Sequence, residues 1–273
     1  METQPAKLEG FLAIQTLAVL SFVVLIGIGV WRVHQVFAKG NTVSAVNATR
    51  ALPGHASTLY ESVNWQTSAS DGTTSDQTSD PDGISNIGAN VAQTIYDTYT
   101  SLRESGTYTP EEGEKIAQDI ATSLHANISY KTFLPSDIKT DRDTSFERMM
   151  KYRQDLRVAL EPLLKNPGYE LSLFVNYIDS HDAMYLRKLS TTVKNYTAAI
   201  ENASDLVVPE DALSYHLGIL NSLSEFKTTI ERMAEHADDA IAAAALLRPY
   251  NESEARMMSS FNTLAQYYKS KLP

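Results

Sequence analysis

Apolar and polar residues follow three different rhythms along this chain. From Gly10 to Trp31, GFLAIQTLAVLSFVVLIGIGVW, the apolar run contains no charge. At about 1.5 Å rise per residue, roughly 20 residues cross a hydrocarbon core, so the run predicts one transmembrane helix. Its anchor residues include Gly10, Phe11, Leu20, Phe22 and Trp31. From Lys39 to about Gly83 no period is sustained. TSASDGTTSDQTSDPDG, Thr67 to Gly83, is low in hydrophobicity and full of turn formers. Such a segment buries too little apolar surface to order itself and predicts a flexible tether. Tyr60 and Trp65 lie within 39–83 as residues able to dock locally. From Ile84 onward, apolar residues recur every three or four positions, the rhythm of helices.

The helical part divides at its punctuation. Ile84, Ile87, Val91, Ile95, Tyr99 and Leu102 form one stripe, and Gly106 supplies a stop. Thr109-Pro110-Glu111-Glu112 predicts a capped start, with the helix running through Ile116, Ile120, Leu124 and Ile128. A break follows at Leu134-Pro135. Thr144-Ser145-Phe146-Glu147 reads as a second capping box, and Pro162 should kink or shorten the helix it opens. After the Pro167-Gly168 turn comes a short helix, Leu171 to Ile178. Ser180 is a candidate cap for the next helix, which carries Met184, Leu189, Val193, Tyr196 and Ile200. Beyond Val208-Pro209, a helix carries Leu213, His216, Leu217, Leu220, Leu223, Phe226, Ile230 and Met233. AIAAAALL follows, and Pro249 interrupts before Asn251 to Leu272 resumes. Ile128 to Leu134 and Leu206 to Val208 have strand character and read as connectors.

The expected fold class is therefore all-α: an N-terminal transmembrane helix plus a bundle of about six or seven helices. Residues 1–38 form stub and anchor, 39–83 the linker and 84–273 the bundle. A cleaved signal peptide is the rival reading of the apolar run. The stub METQPAKLE is not basic, and the run exceeds the usual 7–15 residues, so a retained single-pass signal-anchor is favoured. Arg32, Lys39 and Arg50 after the span lean toward a cytoplasmic C-terminal part. Long domains translocate largely regardless of charge, and the Ser/Thr/Asp-rich segment suits exposure, so the extracytoplasmic side is expected.

Composition narrows the chemistry. The chain has no cysteine, which removes disulfides, thiolate metal sites and cysteine nucleophiles. Its formal charge is −10. Lys7 and Arg32 cancel Glu2 and Glu9 in the anchor region, so the rest carries all of it. An acidic surface argues against nucleic acid and tight contact with anionic lipid. Asp76, Asp80, Asp82 and Gly83 lack the spacing and closing Glu of a calcium loop.

Catalytic signatures are missing. There is no Glu-x-x-His pair, His-Glu-x-x-His, Gly-x-Ser-x-Gly or phosphate loop. Glu235, His236, Asp238 and Asp239 cluster at a helix junction and read as a solvated helix end, with a divalent-ion site as the sharper alternative. His216 lies on an apolar face, where a core histidine bonded to a carbonyl or carboxylate is expected. No enzyme activity, cofactor or metal is expected. Tyrosine is enriched, with 14 residues. Tyr96, Tyr99, Tyr196, Tyr267 and Tyr268 recur on helix faces and are candidates for docking a partner, against a half-buried structural role.

The segment VPEDALSYHLGILNSL, Val208 to Leu223, resembles a group of uncharacterised single-span proteins of candidate-phyla (Patescibacteria-like) bacteria. The resemblance rests on Pro209 and the core His216, Leu217, Leu220, Asn221 and Leu223. It implies an anchor, a polar linker and a helical domain outside the cytoplasm. Pro249 departs from the pattern, where a continuous helix is expected, and points to a split last element. The overall expectation is a membrane-anchored, extracytoplasmic binding or scaffolding component of the cell envelope. Its partners would be the bilayer, through residues 10–31, and an envelope protein. A receptor-type bundle with a small-molecule pocket is the alternative, and a metal-dependent enzyme the weaker one. A stub of about nine residues is too short for a cytoplasmic output domain. A pocket would show converging polar groups; a scaffold would show a solid core and an exposed aromatic patch.

Overall fold

A computed structural model describes residue 60 and residues 63–67 and 80–272. The apolar run at 10–31, with Gly10, Phe11, Leu20, Phe22 and Trp31, lies outside the described residues. Among those described, no helix is long and apolar enough to cross a membrane.

The described chain is a helical bundle of seven α-helices: α1 Asn86–Glu104, α2 Pro110–Ser123, α3 Phe146–Ala159, α4 Glu170–Ser180, α5 Ala183–Ser204, α6 Leu213–Glu235 and α7 Ala240–Ser270. Helix α6 is the axis. It packs between α5 and α7, while α4 and α3 cover α5, and α1 leans on α7 with α2 beside it. Two short strands, β1 Lys139–Asp141 and β2 Val207–Pro209, pair in parallel. Of the two stretches read as connectors, Leu206 to Val208 thus overlaps a strand, whose partner is 139–141, while 128–134 forms none. Arg148 ties the pair to α3, donating to Asp141 at 2.8 Å and to the Val207 carbonyl at 2.6 Å.

Local signals account for most boundaries. Gly106, with φ +68°, ends α1 in the left-handed region that a side chain disfavours. Thr109 caps α2 by accepting from the Glu112 amide at 3.1 Å, with Pro110 in the first turn. The α2 helix stops at Ser123, short of Ile128, because Leu124 turns extended. Ser145 caps α3 by accepting from Arg148, one position later than a Thr144–Glu147 box requires. Pro162 sits in a 3-10 turn, Glu161–Lys165, after α3 has ended. Asp182, not Ser180, caps α5, accepting from Met184 at 2.8 Å.

Two expectations fail for tertiary reasons. The helix α7 is continuous through Pro249. Proline lacks the N–H that the Ala245 carbonyl would accept, an omission that costs about 3 kcal/mol in a helix interior. The Ala126 amide, from the segment after α2, donates to that carbonyl at 3.1 Å instead. The second failure is the linker boundary. Trp65 is buried in the main core. The Gln66 side chain donates to the Asp82 and Asn127 carbonyls at 2.6 and 2.8 Å and accepts from the Asn127 amide at 2.7 Å. Asn90 on α1 donates to the Trp65 and Thr67 carbonyls. Asp80 accepts from the amides of Ile84 and Ser85. The segments 63–67 and 80–83 are therefore domain, not tether.

Candidate functional site

The first candidate is the outer face of the α1–α2 hairpin. Ile84, Ile87 and Val91 are buried, but the same stripe runs on into Ile95, 48% exposed, and Tyr99, 41%. Beside them Tyr96 is 66% exposed and Tyr108 43%. The stripe outlasts the surface it packs on, so its far half faces outward. The ridge has fixed geometry: Tyr99 and Tyr108 meet edge-to-face at 5.1 Å. Gly113 leaves room for Tyr108, whose hydroxyl would lie 3.4 Å from any Cβ added there. Arg103 donates to the Tyr99 hydroxyl. Rigid aromatic side chains with polar tips are suited to protein contact.

The five tyrosines singled out by spacing do not share this face. Tyr96 and Tyr99 lie on it. Tyr196 and Tyr267 are buried. Tyr267 donates to Asp211 at 3.0 Å and stacks on Tyr215. Tyr268 is half-buried between Tyr152 and Arg153. Helical spacing identifies a common face within one helix but not which faces the bundle covers.

The second candidate is a buried carboxyl–phenol cluster. Glu170, at the start of α4, accepts from Tyr196 at 3.2 Å and Asn166 at 3.3 Å. Asn195 braces Asn166. On α7, Glu254 accepts from Tyr169 at 3.4 Å and Tyr250 at 3.5 Å. Burial raises the pKa of both carboxyls, and their mutual repulsion adds to it for Glu170; the phenol hydrogen bonds work the other way. Burial also pushes the Tyr169 phenol up to about 12. Neither glutamate stood out among the acidic residues of the sequence, because their raised pKa values come from contacts between α4, α5 and α7. Perturbed groups of this kind mark functional sites, and structural networks also produce them.

His216 is wholly buried, and its Nδ1 shares a 3.0 Å hydrogen bond with the Tyr152 hydroxyl, a phenol rather than the expected carbonyl or carboxylate. Burial pushes its pKa down to about 4, against a favourable effect of the Ala203 backbone. It is a neutral core residue. Pro209 ends β2, and Leu220 is fully buried while Leu217 is half-buried. Asn221 does more than flank the stripe: it accepts from the Phe133 amide at 2.6 Å and donates to the Phe133 carbonyl at 3.2 Å. It thus imitates a neighbouring strand for the extended segment there.

The Glu235–Asp239 junction has other employment. Arg232 bridges Asp82 and Glu235, at 3.0 and 2.6 Å. Asp238 accepts from Tyr177, and Asp239 caps α7. Burial opposes ionisation of Asp80, but hydrogen bonds from Ser85 and Ile84 and the nearby His236 outweigh it and lower its pKa. Among the described residues no three His, Asp or Glu side chains converge as metal ligands. No protein-family model matches the chain, and no curated protein or solved structure is significantly similar to it.

Proposed function

We propose that this protein is a membrane-anchored, extracytoplasmic helical module that binds or scaffolds a protein partner in the cell envelope. Residues 10–31 would be the anchor and the α1–α2 face the docking surface. The observation that carries this reading is the ridge of Ile95, Tyr96, Tyr99 and Tyr108, apolar and exposed on a hairpin whose base alone is locked into the core. An apolar patch on an otherwise polar, acidic domain favours a protein partner over nucleic acid. The resemblance at Val208 to Leu223 supports the layout of anchor and domain.

A photo-crosslinking amino acid at Tyr96 or Tyr99, in intact cells, should capture one and the same protein. The same probe at Leu164, 86% exposed and far along the sequence in the 3-10 turn after α3, should not. Capture of unrelated proteins at all three positions would end the docking proposal. Topology is tested separately with protease on spheroplasts: cleavage before lysis supports the outward side, and full protection overturns it. Cleavage between Thr67 and Asp80 should leave the Trp65 peptide bound, because its contacts are non-covalent and lie inside the domain.

A further inference from the structure

A cleft of about 420 Å³ opens between α5, α6 and the extended segment around Phe133. This lies within the roughly 300–1,000 Å³ range of small-molecule sites. Phe133 and Ile200 are buried members of its lining, and Tyr130 contributes a partly exposed aromatic ring beside the Glu225–Arg256 ion pair.

The polar lining is rich in hydroxyls that already donate to the backbone. Thr197 donates to the Val193 carbonyl, Ser204 to Glu201, Ser224 to Lys131 and Thr228 to Ser224, at 2.7–2.9 Å. A hydroxyl whose proton is committed to the backbone has only lone pairs left to offer. Four acceptors thus line one cleft, and the Glu201 carboxylate adds a fifth. Lys227 is occupied by Glu231 at 2.7 Å. Among the described residues neither Glu201 nor Lys131 forms an ion pair. The Lys131 ammonium rests 4.4 Å above the Phe133 ring and, with the Ser129 and Tyr130 hydroxyls of the lining, supplies donors. One free cation and one free anion leave the cleft neutral.

This inventory discriminates between ligand classes. A phosphate or polycarboxylate would meet a single unpaired ammonium beside the Glu201 carboxylate and four hydroxyls that can only accept. A purely apolar compound would desolvate hydroxyl lone pairs without replacing their hydrogen bonds. A polyhydroxylated ring has O–H donors for the fixed oxygens, oxygens for Lys131 and a C–H face for an aromatic ring. We infer that this cleft is a binding site for a neutral saccharide unit. The inference rests neither on the anchor nor on the α1–α2 face.

The full chain, purified in a zwitterionic detergent without sugar headgroups, can be tested by saturation-transfer NMR. The probes are N,N′-diacetylchitobiose, cellobiose and citrate. Ring protons of at least one disaccharide should receive saturation, and citrate should not. Glu201→Gln and Tyr130→Ala should each weaken that binding about tenfold, the scale of one hydrogen bond or one aromatic contact. Both side chains are exposed, so melting temperatures should hold, and a variant that melts early is replaced by Lys131→Gln. Capture on chitin or cellulose beads, competed by the soluble disaccharide, would identify a polymer end as the source; solution binding without capture would identify free sugar. No saturation of either disaccharide, a preference for citrate, or binding indifferent to the substitutions would overturn the assignment.

Discussion

Helix α6 and the α1–α2 hairpin are written in the same amphipathic rhythm, yet they end up in opposite circumstances. On α6 His216, Leu220, Leu223, Phe226, Ile230 and Met233 of the apolar stripe are buried, and so are Ser222, Ser224, Thr228 and Thr229. On α1 only Ile87 and Val91 are buried, and on α2 only Ile120. The difference lies in neighbours. Helix α6 has α5 and α7 along its length and the Phe133 segment across it, whereas α1 meets α7 near one end. An apolar face covered by the bundle contributes stability. The same face left uncovered is available for binding, and in α1 the two uses divide one helix.

Substitutions should separate these uses. The largest effect is expected where the hairpin is nailed to the core. Trp65→Ala should cost about 3–5 kcal/mol in chemical denaturation, the range for a buried large aromatic. Stability unchanged by that substitution would return 63–67 to the linker. Leu220→Ala on α6 should cost about 2–5 kcal/mol, while partner capture by the folded fraction persists.

Two buried titrating groups should bend the pH profile in opposite senses. His216 has a folded pKa below its unfolded value near 6.5, so its stabilisation is present above 6.5 and lost as pH falls toward about 4. The loss is on the order of 3 kcal/mol for about two and a half pKa units, and His216→Gln should flatten that limb in urea titrations at stepped pH. Glu170 has a raised folded pKa, so its contribution is complete below about 4.5 and is lost as pH rises through the folded value. Glu170→Gln should remove part of the decline above pH 4.5. A decline as steep in the variant would show that this cluster is not its cause.

The smallest stability effect is expected on the ridge. Ile95→Ser, Tyr96→Ser and Tyr99→Ser should each shift stability by about 0.5 kcal/mol or less, as for exposed sites. Each should nevertheless reduce partner capture. Unimpaired capture by the triple variant would leave the hairpin without its proposed role.

Helix count, the Gly106 stop, the Thr109 cap and the burial of Leu220 and Leu223 are legible in the sequence because periodicity and capping act within a few residues. The candidate sites are less legible. Tyr96 and Tyr196 look alike in sequence, but one faces outward and the other donates to a buried glutamate. The pocket-bearing alternative has no residues assigned to it in the sequence, since the cleft's lining comes from 129–133, α5 and α6, which only the fold brings together.

Pro249 marks the boundary between the two kinds of information. By itself, the sequence determined an all-α domain following a charge-free apolar run, because backbone propensity and amphipathic spacing are local. It could not determine that α7 continues through a proline. That depended on the Ala126 amide reaching the carbonyl the proline leaves without a donor. In the same way, Trp65 joins the core only because α1 brings Asn90 to its carbonyl and the α2 exit brings Asn127 to Gln66. Hydrogen bonds between residues far apart in the chain have no local signature, so only the tertiary structure decides which groups they satisfy.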